Sequence, residues 1–198
     1  MTSPSSPLPA APSSGASKAQ WRQFMRTSMR EDGPALVSEV ALATFSGQLQ
    51  PAANVVSFCP LPHELNVSIF NALARERAAR VWVPLGNKVP AGVAVTDLPV
   101  GFRPHGEPHG WRRGEGLGQL QPALVLIPAL AVDGRGVRLG QGGGWYDRAL
   151  SELAEDVPVV GCVPQSRFLR TTALPVEPHD IRVQAVATET GYWELPLE

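Results

Sequence analysis

The strongest constraint on the fold is an unbroken apolar segment, residues 123–130, which reads ALVLIPAL. A strand that meets water on one face alternates apolar and polar residues, whereas a strand covered on both faces stays apolar throughout. Strands of this second kind occur in parallel sheets whose two faces are packed with helices. The segment therefore predicts a central parallel strand and an α/β fold of three layers, with a mostly parallel sheet and helices on both faces.

Other segments fit the same architecture. Residues 54–59 (NVVSFC) and 80–85 (RVWVPL) are rich in β-branched and aromatic side chains, and a helix is predicted between them at about 64–79. Strand, helix and strand in this order predict a parallel βαβ unit. Further strands are predicted at 92–100, 157–163 and 185–190.

Three more helices are expected along the chain. Ser17 and Gln20 have the spacing of a capping box, which begins a helix that runs to about residue 30. Pro34 suits the first turn of a second helix that ends near residue 49. A third helix is predicted at about 145–155, whereas the glycine- and proline-rich residues 101–121 predict loops with short helical pieces.

The first of these helices carries a basic stripe. Lys18, Arg22, Arg26 and Arg30 recur at every fourth position and so lie along one side of the helix. On an ordinary surface helix such a stripe is a solvated face, and beside an anion site it binds the anion. The spacing alone leaves both interpretations open.

Length and charge narrow the class of protein. A chain of 198 residues predicts one domain, here residues 18–198, after a Pro- and Ser-rich lead-in at 1–17 that is expected to be disordered. The formal net charge of −1 predicts neither a nucleic acid nor a membrane surface as partner. The lead-in lacks the basic and apolar regions of a secretion signal, so a cytoplasmic location is expected. Cys59 and Cys162 lie in strand-like runs and are expected to be buried, reduced thiols.

A glycine-rich stretch, RLGQGGGWYDRAL at residues 138–150, predicts an anion site. Successive N–H groups of such a turn can point to one side, and the N-terminus of the following helix adds further N–H groups. Arg138 supplies a forked cation, and Asp147 beside a phosphate suggests Mg²⁺ between them. The stretch has neither the GK[ST] of a P-loop nor a complete G-x-G-x-x-G pattern. A nucleotide polyphosphate is therefore predicted, with a flexible loop as the alternative.

The longer segment at residues 124–150 closely resembles the signature of the 5-formyltetrahydrofolate cyclo-ligase family, also called 5,10-methenyltetrahydrofolate synthetases. The residues that match it are Pro128, Ala131, Asp133, Gly136, Arg138, Leu139, Gly140, Gly142, Gly143, Gly144, Tyr146 and Asp147. Three further segments agree in order, through Lys18 and Arg22, through Glu64, and through Pro175, His179 and Asp180. The resemblance covers most of the chain, from about Lys18 to Glu189.

Two departures from the family pattern concern the glycine-rich stretch. Trp145 replaces the first tyrosine of the usual pair, which keeps a flat apolar face and loses a hydroxyl. Gly143 stands where some relatives carry lysine. A cation for the terminal phosphate is therefore expected from Arg138, Lys18 or Arg22.

The resemblance implies ATP-dependent cyclisation of 5-formyltetrahydrofolate to 5,10-methenyltetrahydrofolate by a monomer, with ADP and phosphate released and Mg²⁺ as cofactor. The implied ATP contacts are Lys18, Arg22, Arg138, Leu139, Gly140, Gln141, Gly142, Gly143, Gly144, Trp145 and Tyr146. The implied folate contacts are Cys59, Glu64, Gln141, Gly142, Gly143, Gly144 and Trp145. The implied Mg²⁺ ligands are Asp147 and Asp180.

Two other functions remain open from the sequence. One is a family member that binds folate or a nucleotide without turnover, and the other is a different ATP-using ligase or kinase on the same scaffold. Single residues also have structural alternatives. Glu64 can cap the helix after it, Asp180 can be a turn residue, and Asp147 can act only on the dipole of its helix.

Overall fold

The computed structural model of the chain describes residues 11–13, 15–28, 35–85, 100–106 and 114–196. Within these residues the helices are α1 (Lys18–Ser28), α2 (Glu39–Gly47), α3 (Ser68–Glu76), α4 (Leu117–Leu120) and α5 (Trp145–Leu150). The strands are β1 (Ala35–Leu36), β2 (Asn54–Val56), β3 (Leu65–Asn66), β4 (Arg80–Pro84), β5 (Phe102–Pro104), β6 (Leu124–Pro128), β7 (Ala131–Asp133), β8 (Arg138–Leu139), β9 (Val159–Cys162), β10 (Phe168–Leu169), β11 (Ala185–Ala187) and β12 (Tyr192–Glu194). The mixture of helices and strands is that of an α/β protein, as predicted.

The main sheet, as far as the chain is described, has the strand order β12-β11-β9-β6-β2-β4-β5. Its inner strands all run parallel, and the strand at each edge, β12 or β5, is antiparallel to its neighbour. The apolar strand β6 lies between β9 and β2, and Leu124 to Ile127 are at most 2% exposed. The predicted central parallel strand is confirmed, and the sheet as a whole is mixed.

Neighbouring residues of the inner strands contribute to different hydrophobic clusters because successive side chains of a strand point to opposite faces. Val55 and Leu124 belong to a cluster that also contains buried residues of α2 and α3. Val56 and Val125 belong to a second cluster, which contains buried residues of α4 and α5. This alternation explains why the strands are apolar throughout.

A smaller sheet, in the order β10-β7-β8, holds α1 in position. Trp21 and Met25 of α1 pack in a third hydrophobic cluster with Leu130 and Leu139. The same helix begins with the predicted capping box, since the Ser17 N–H donates to Gln20 Oε1 at 2.8 Å. The cluster places the basic side of α1 beside the loop that follows β8.

Several predicted boundaries differ from the structure. The second helix begins at Glu39 and not near residue 34, because Ser38 Oγ accepts a hydrogen bond from the Ala41 N–H at 3.2 Å and residues 35–36 pair with β3 instead. Likewise α3 starts at Ser68, since residues 65–66 are used in that pairing.

The last helix is shorter than predicted, and some expectations concern residues that the structure does not describe. α5 ends at Leu150, five residues before the predicted end. β7, β8 and β10 were not predicted, because these strands are short and separated by turns. The predicted strand at 92–100, apart from its last residue, and most of the lead-in at 1–17 lie outside the described residues. No helix in the described ranges is long and apolar enough to cross a membrane.

Candidate active site

A cleft of about 1220 Å³ opens at the carboxyl ends of β2, β4 and β6. Open α/β sheets place their ligand sites at this edge, where the loops after the parallel strands meet. The predicted residues that line the cleft are Lys18, Arg22, Cys59, Glu64, Arg138, Gly140, Gln141, Gly142, Gly143, Gly144, Trp145, Tyr146, Asp147 and Asp180. Residues from distant parts of the sequence are therefore brought together in one site.

Leu139 is the predicted site residue that does not line the cleft. Its side chain is 1% exposed and packs with Trp21 and Met25 in the cluster beneath α1. Its carbonyl oxygen accepts a hydrogen bond from the Leu130 N–H at 2.8 Å. The structure thus gives Leu139 a packing role under the glycine-rich loop.

Two arginines of α1 bind carbonyl groups of the glycine-rich loop, residues 140–144. Arg22 Nε donates to the Gly140 oxygen at 3.0 Å, and Arg26 Nη2 donates to the Gln141 oxygen, also at 3.0 Å. The basic stripe of this helix is therefore not only a solvated face. It fixes the first half of the loop.

The second half of the loop is held from α5. Arg148 Nη1 donates to the Gly143 oxygen at 2.9 Å, and the backbone N–H of Arg148 donates to the Gly144 oxygen at 3.1 Å. Gly142 and Gly144 have φ values of +108° and +59°, which L-residues with side chains rarely adopt. The glycines allow the loop to turn sharply between its two anchors.

The backbone N–H groups of this loop differ from its carbonyl groups in their hydrogen bonding. Within the described residues, no group accepts a hydrogen bond from any backbone N–H of residues 140–144. A row of adjacent N–H donors that line a cleft, followed by the N-terminus of a helix, is the arrangement that binds phosphate and other anions.

The cation and the carboxylate predicted at the loop, Arg138 and Asp147, form an ion pair with each other. Arg138 Nη2 lies 2.5 Å from Asp147 Oδ1, and the Arg138 side chain is only 4% exposed. The guanidinium carbon also lies 5.7 Å from the centre of the Tyr146 ring. Arg138 is thereby held at the mouth of the loop by one ion pair and one aromatic face.

A second ion pair closes the opposite side of the cleft. Lys18 Nζ contacts the carboxylate of Asp180 and lies 3.2 Å from Glu177 Oε2. Asp180 also accepts a hydrogen bond from the Glu177 N–H at 2.7 Å, so it is a turn residue as well as a partner of Lys18. Both predicted metal ligands thus face a predicted phosphate-binding cation.

One group of side chains in the described residues has the composition of a cation site. Ligand atoms of Glu177, His179 and Asp180 all lie within 4.8 Å of one another, at the rim of the cleft. Asp147 does not belong to this group. Sequence reasoning had singled out Asp180 and had not recognised Glu177.

The part of the cleft that follows β2 contains Glu64. Burial raises the pKa of its carboxyl group, against the opposing effect of the Leu61 N–H, which donates to Glu64 Oε2 at 2.9 Å. Glu64 does not cap α3, because the Ser68 N–H at the start of that helix donates to Asn66 instead. Its charge also contributes to the raised pKa of Tyr146, for which burial is the larger cause.

Aromatic rings form one wall of the cleft. Trp145 packs edge-on against Phe102, with ring centres 5.2 Å apart, and against Tyr146 at 4.9 Å. Contrary to the prediction, the Cys59 side chain is exposed in the cleft and not buried. The chain has left β2 at Val56 and enters the loop before it reaches this cysteine. The buried state predicted for Cys162 is confirmed.

Besides Glu177, sequence reasoning missed two further charged residues of the cleft, Arg148 and Arg103. Arg148 follows the glycine-rich stretch directly, so its position in the first turns of a helix after a predicted anion loop was a usable signal. Arg103 lies in β5, within a segment that was predicted as loop, and no pattern in the sequence marked it.

Relatives and solved structures agree on the class of protein. A 5-formyltetrahydrofolate cyclo-ligase of Mycolicibacterium smegmatis is 35% identical over 127 residues, which are 63% of this chain and 61% of that relative. A protein of the same name from Escherichia coli K12 is 38% identical over 72 residues, which are 36% of this chain and 38% of the relative. The matches therefore span less than two thirds of the length of these curated relatives.

The fold is similar over a larger share of the chain. The NMR structure of Aquifex aeolicus 5,10-methenyltetrahydrofolate synthetase superposes with a TM-score of 0.57 at 20% identity, over 91% of this chain and 94% of that one. A 5,10-methenyltetrahydrofolate synthetase from Mycoplasma pneumoniae gives the same TM-score at 16% identity, over 85% and 96% of the two chains. A model of the 5-formyltetrahydrofolate cyclo-ligase family matches residues 16–189, which is most of the sequence, and this chain therefore belongs to that family.

Proposed function

We propose that this protein catalyses the ATP-dependent cyclisation of 5-formyltetrahydrofolate to 5,10-methenyltetrahydrofolate, with release of ADP and phosphate. The observation that carries the proposal is the glycine-rich loop, whose carbonyls are bound by arginines while the N–H groups of residues 140–144 have no acceptor in the described part of the chain. The family of the chain and the size of the cleft, about 1220 Å³, support a site for two substrates.

The loop is proposed to bind the phosphate chain of ATP. Its N–H groups are fixed before the ligand arrives, so little reorganisation is needed when charge develops during phosphoryl transfer. Arg138 and Lys18 border the loop on two sides of the cleft and are the cations proposed to neutralise the phosphates. Arg22 supports the loop through Gly140.

The carboxylates of Asp147 and Asp180 fit Mg²⁺ by their chemistry, since hard oxygen ligands are those this ion prefers. Each is paired with a cation, Arg138 or Lys18, and binding of Mg·ATP is proposed to exchange these partners. The cations would then contact phosphate oxygens, and the two carboxylates would hold the metal. Bound with ATP, Mg²⁺ would supply further neutralisation of the polyphosphate charge.

The folate is proposed to lie against Glu64, Cys59 and the wall formed by Trp145 and Tyr146. Glu64 has a half-buried carboxyl group whose raised pKa reflects its removal from water, so a polar partner such as a pterin N–H group would replace lost hydration. Trp145 offers a flat apolar face to the ring system. These contacts would aim the formyl group at the end of the phosphate chain.

The proposed reaction has two steps. The formyl oxygen attacks the terminal phosphorus of ATP, the bond from that phosphorus to ADP breaks, and the formyl carbon becomes a good electrophile. The neighbouring folate nitrogen then attacks this carbon, loses its proton, and inorganic phosphate leaves with the oxygen. The second step is intramolecular, so positioning by the cleft supplies a large share of its rate.

The direct test is the appearance of the methenyl chromophore with and without Mg·ATP. Arg138→Ala is expected to lower kcat/KM for ATP by about a hundredfold, the size found when one preorganised donor is removed from a transition state. Arg77→Ala is the control for removal of an arginine elsewhere, since Arg77 donates to the Ser46 carbonyl and does not line the cleft. Full activity of Arg138→Ala would remove the phosphate assignment.

Binding measurements separate this function from the alternatives. Isothermal titration with Mg·ATP and with 5-formyltetrahydrofolate, each alone, should show binding of both. A protein that binds one ligand and releases no phosphate would be a binder without turnover. Phosphate release with no methenyl product would indicate another ATP-using enzyme.

We also propose the finer features of the architecture and of the protein's setting. The clusters on α2 and α3 and on α4 and α5 support a three-layer arrangement in which helices cover both faces of the sheet. The family match over residues 16–189 supports a single domain from residue 18 onwards, after a disordered lead-in. A monomer in the cytoplasm, with small molecules as its only partners, is proposed for this protein; the net charge of −1 supports only the expectation that neither a nucleic acid nor a membrane surface is a partner.

A further inference from the structure

Arg148 has features that no role described so far accounts for. It lies in α5, one residue after Asp147, and it lines the cleft. Its Nη1 donates to the Gly143 oxygen at 2.9 Å. Its Nη2 is buried and has no hydrogen-bond partner in the part of the chain that the structure describes. A buried guanidinium nitrogen without a partner is costly unless a ligand satisfies it.

The bond to Gly143 determines the direction of a neighbouring donor. A peptide unit is planar and trans, so its C=O and N–H groups point in opposite directions. When Arg148 holds the Gly143 oxygen, the N–H of Gly144 in the same peptide unit must point away from Arg148. Without this anchor the peptide is free to rotate, because glycine on both sides imposes little restriction on it.

The anchors of the loop differ in position. Arg22 and Arg26 come from α1 and fix the peptides after Gly140 and Gln141. Arg148 is the anchor from α5, so it fixes the end of the loop that leads into the helix. It also adds a cation beside Gly143, a position for which sequence reasoning had offered only more distant cations.

We propose that Arg148 is a further residue of the nucleotide site, in two respects. Its Nη1 positions the peptide between Gly143 and Gly144 so that the N–H of Gly144 serves the phosphate chain. Its Nη2 provides a hydrogen bond and a charge to the same polyphosphate. This inference rests on the proposed function, because it takes a polyphosphate as the ligand of the loop.

The test compares the affinities of ATP, ADP and AMP, each with Mg²⁺, by titration of the wild type, Arg148→Ala and Arg148→Lys. Arg148→Ala is expected to weaken ATP binding about tenfold or more, the loss for one charge-assisted hydrogen bond, and to leave AMP binding unchanged. Arg148→Lys should recover part of the affinity, since it restores the charge without the forked geometry. Arg77→Ala is the control for removal of an exposed carbonyl-bound arginine.

Two further measurements identify a merely structural effect. Affinity for 5-formyltetrahydrofolate alone and the melting temperature should be unchanged in Arg148→Lys, so that this variant remains informative even if Arg148→Ala folds poorly. In steady state, the KM for ATP should rise in both variants, and the KM for the folate should not.

The results that would overturn the proposal are distinct from those that would overturn the function. ATP affinity of both variants within about twofold of the wild type would exclude a role for Arg148 in the nucleotide site. Equal losses for ATP, AMP and folate would indicate general damage and would also exclude it. Failure of the wild type to bind Mg·ATP would instead refute the proposed function itself, before any variant is compared.

Discussion

Asp133 should be one of the most sensitive positions in the chain, and Asp133→Asn tests this without changing the shape of the side chain. The carboxylate is fully buried at the end of β7. Its Oδ1 accepts hydrogen bonds from the backbone N–H groups of Arg135 and Val137, each at 2.9 Å. Its Oδ2 accepts from the Arg135 guanidinium at 2.8 and 3.1 Å and from the Leu174 N–H at 2.9 Å.

An asparagine cannot serve both sets of donors, because one of its two terminal atoms is an NH₂ group. If the NH₂ group faces Arg135 N and Val137 N, two buried backbone donors lose their acceptor. The opposite orientation is less costly, since only the Leu174 N–H is left buried and the Arg135 side chain, which is 39% exposed, can turn to water. One orphaned donor and a lost buried ion pair lower the free energy of unfolding by about 2–4 kcal/mol.

The assay is urea unfolding of the wild type, Asp133→Asn and the control Asp156→Asn, followed by circular dichroism. Asp156 is exposed, so its substitution should change the free energy of unfolding by about 0.5 kcal/mol or less. Asp133→Asn should also lower Tm by roughly 4–16 °C, from the usual ratio for a chain of this size. A loss below about 1 kcal/mol would refute the account of Asp133 as a satisfied buried acceptor.

Three further predictions concern the cleft. Gly142→Ala should destabilise the protein by roughly 1–3 kcal/mol and weaken Mg·ATP binding. The φ angle at this position is +108°, and an added Cβ would lie 3.4 Å from Arg22 Nε. Urea unfolding measures the loss of stability, and titration measures the loss of affinity. Iodoacetamide should alkylate the exposed Cys59 and should not modify Cys162, because burial raises the pKa of the Cys162 thiol. Addition of 5-formyltetrahydrofolate should slow the reaction at Cys59. Mass spectrometry of the two cysteine-containing peptides measures both effects. Glu64→Gln should raise Tm at pH 8 and not at pH 4. Burial raises the pKa of this carboxyl, so the charged form lowers the free energy of unfolding only once the pH has risen through that pKa. A gain in Tm of equal size at both pH values would contradict this account.

The parts of the fold that were predictable are those where one local pattern determines the structure. Residues 123–130 are all apolar, so a strand formed by them has no polar face and must be covered on both sides. The capping box of Ser17 and Gln20 likewise specified where α1 begins. The start of α2 was misjudged because Pro34 and Ser38 are both acceptable helix starts, and tertiary pairing of residues 35–36 with β3 decides between them.

The site was predictable in its residue types and not in its pairings. The resemblance to the family identified Arg138 and Asp147, but their direct contact at 2.5 Å depends on the angle between β8 and α5, which no spacing in the sequence encodes. The carbonyl anchors of the loop were missed for the same reason. Arg148 reaches back five residues to Gly143 only because the loop turns sharply at its glycines.

The contact between Lys18 and Asp180 joins positions 162 residues apart and has a consequence for biosynthesis. Contacts of such high sequence separation form late, because the intervening chain must first be ordered. During synthesis the glycine-rich loop and α5 emerge before Asp180, so the loop can form before the cleft acquires this carboxylate. A nascent chain truncated before residue 180 would leave Lys18 without this ion-pair partner.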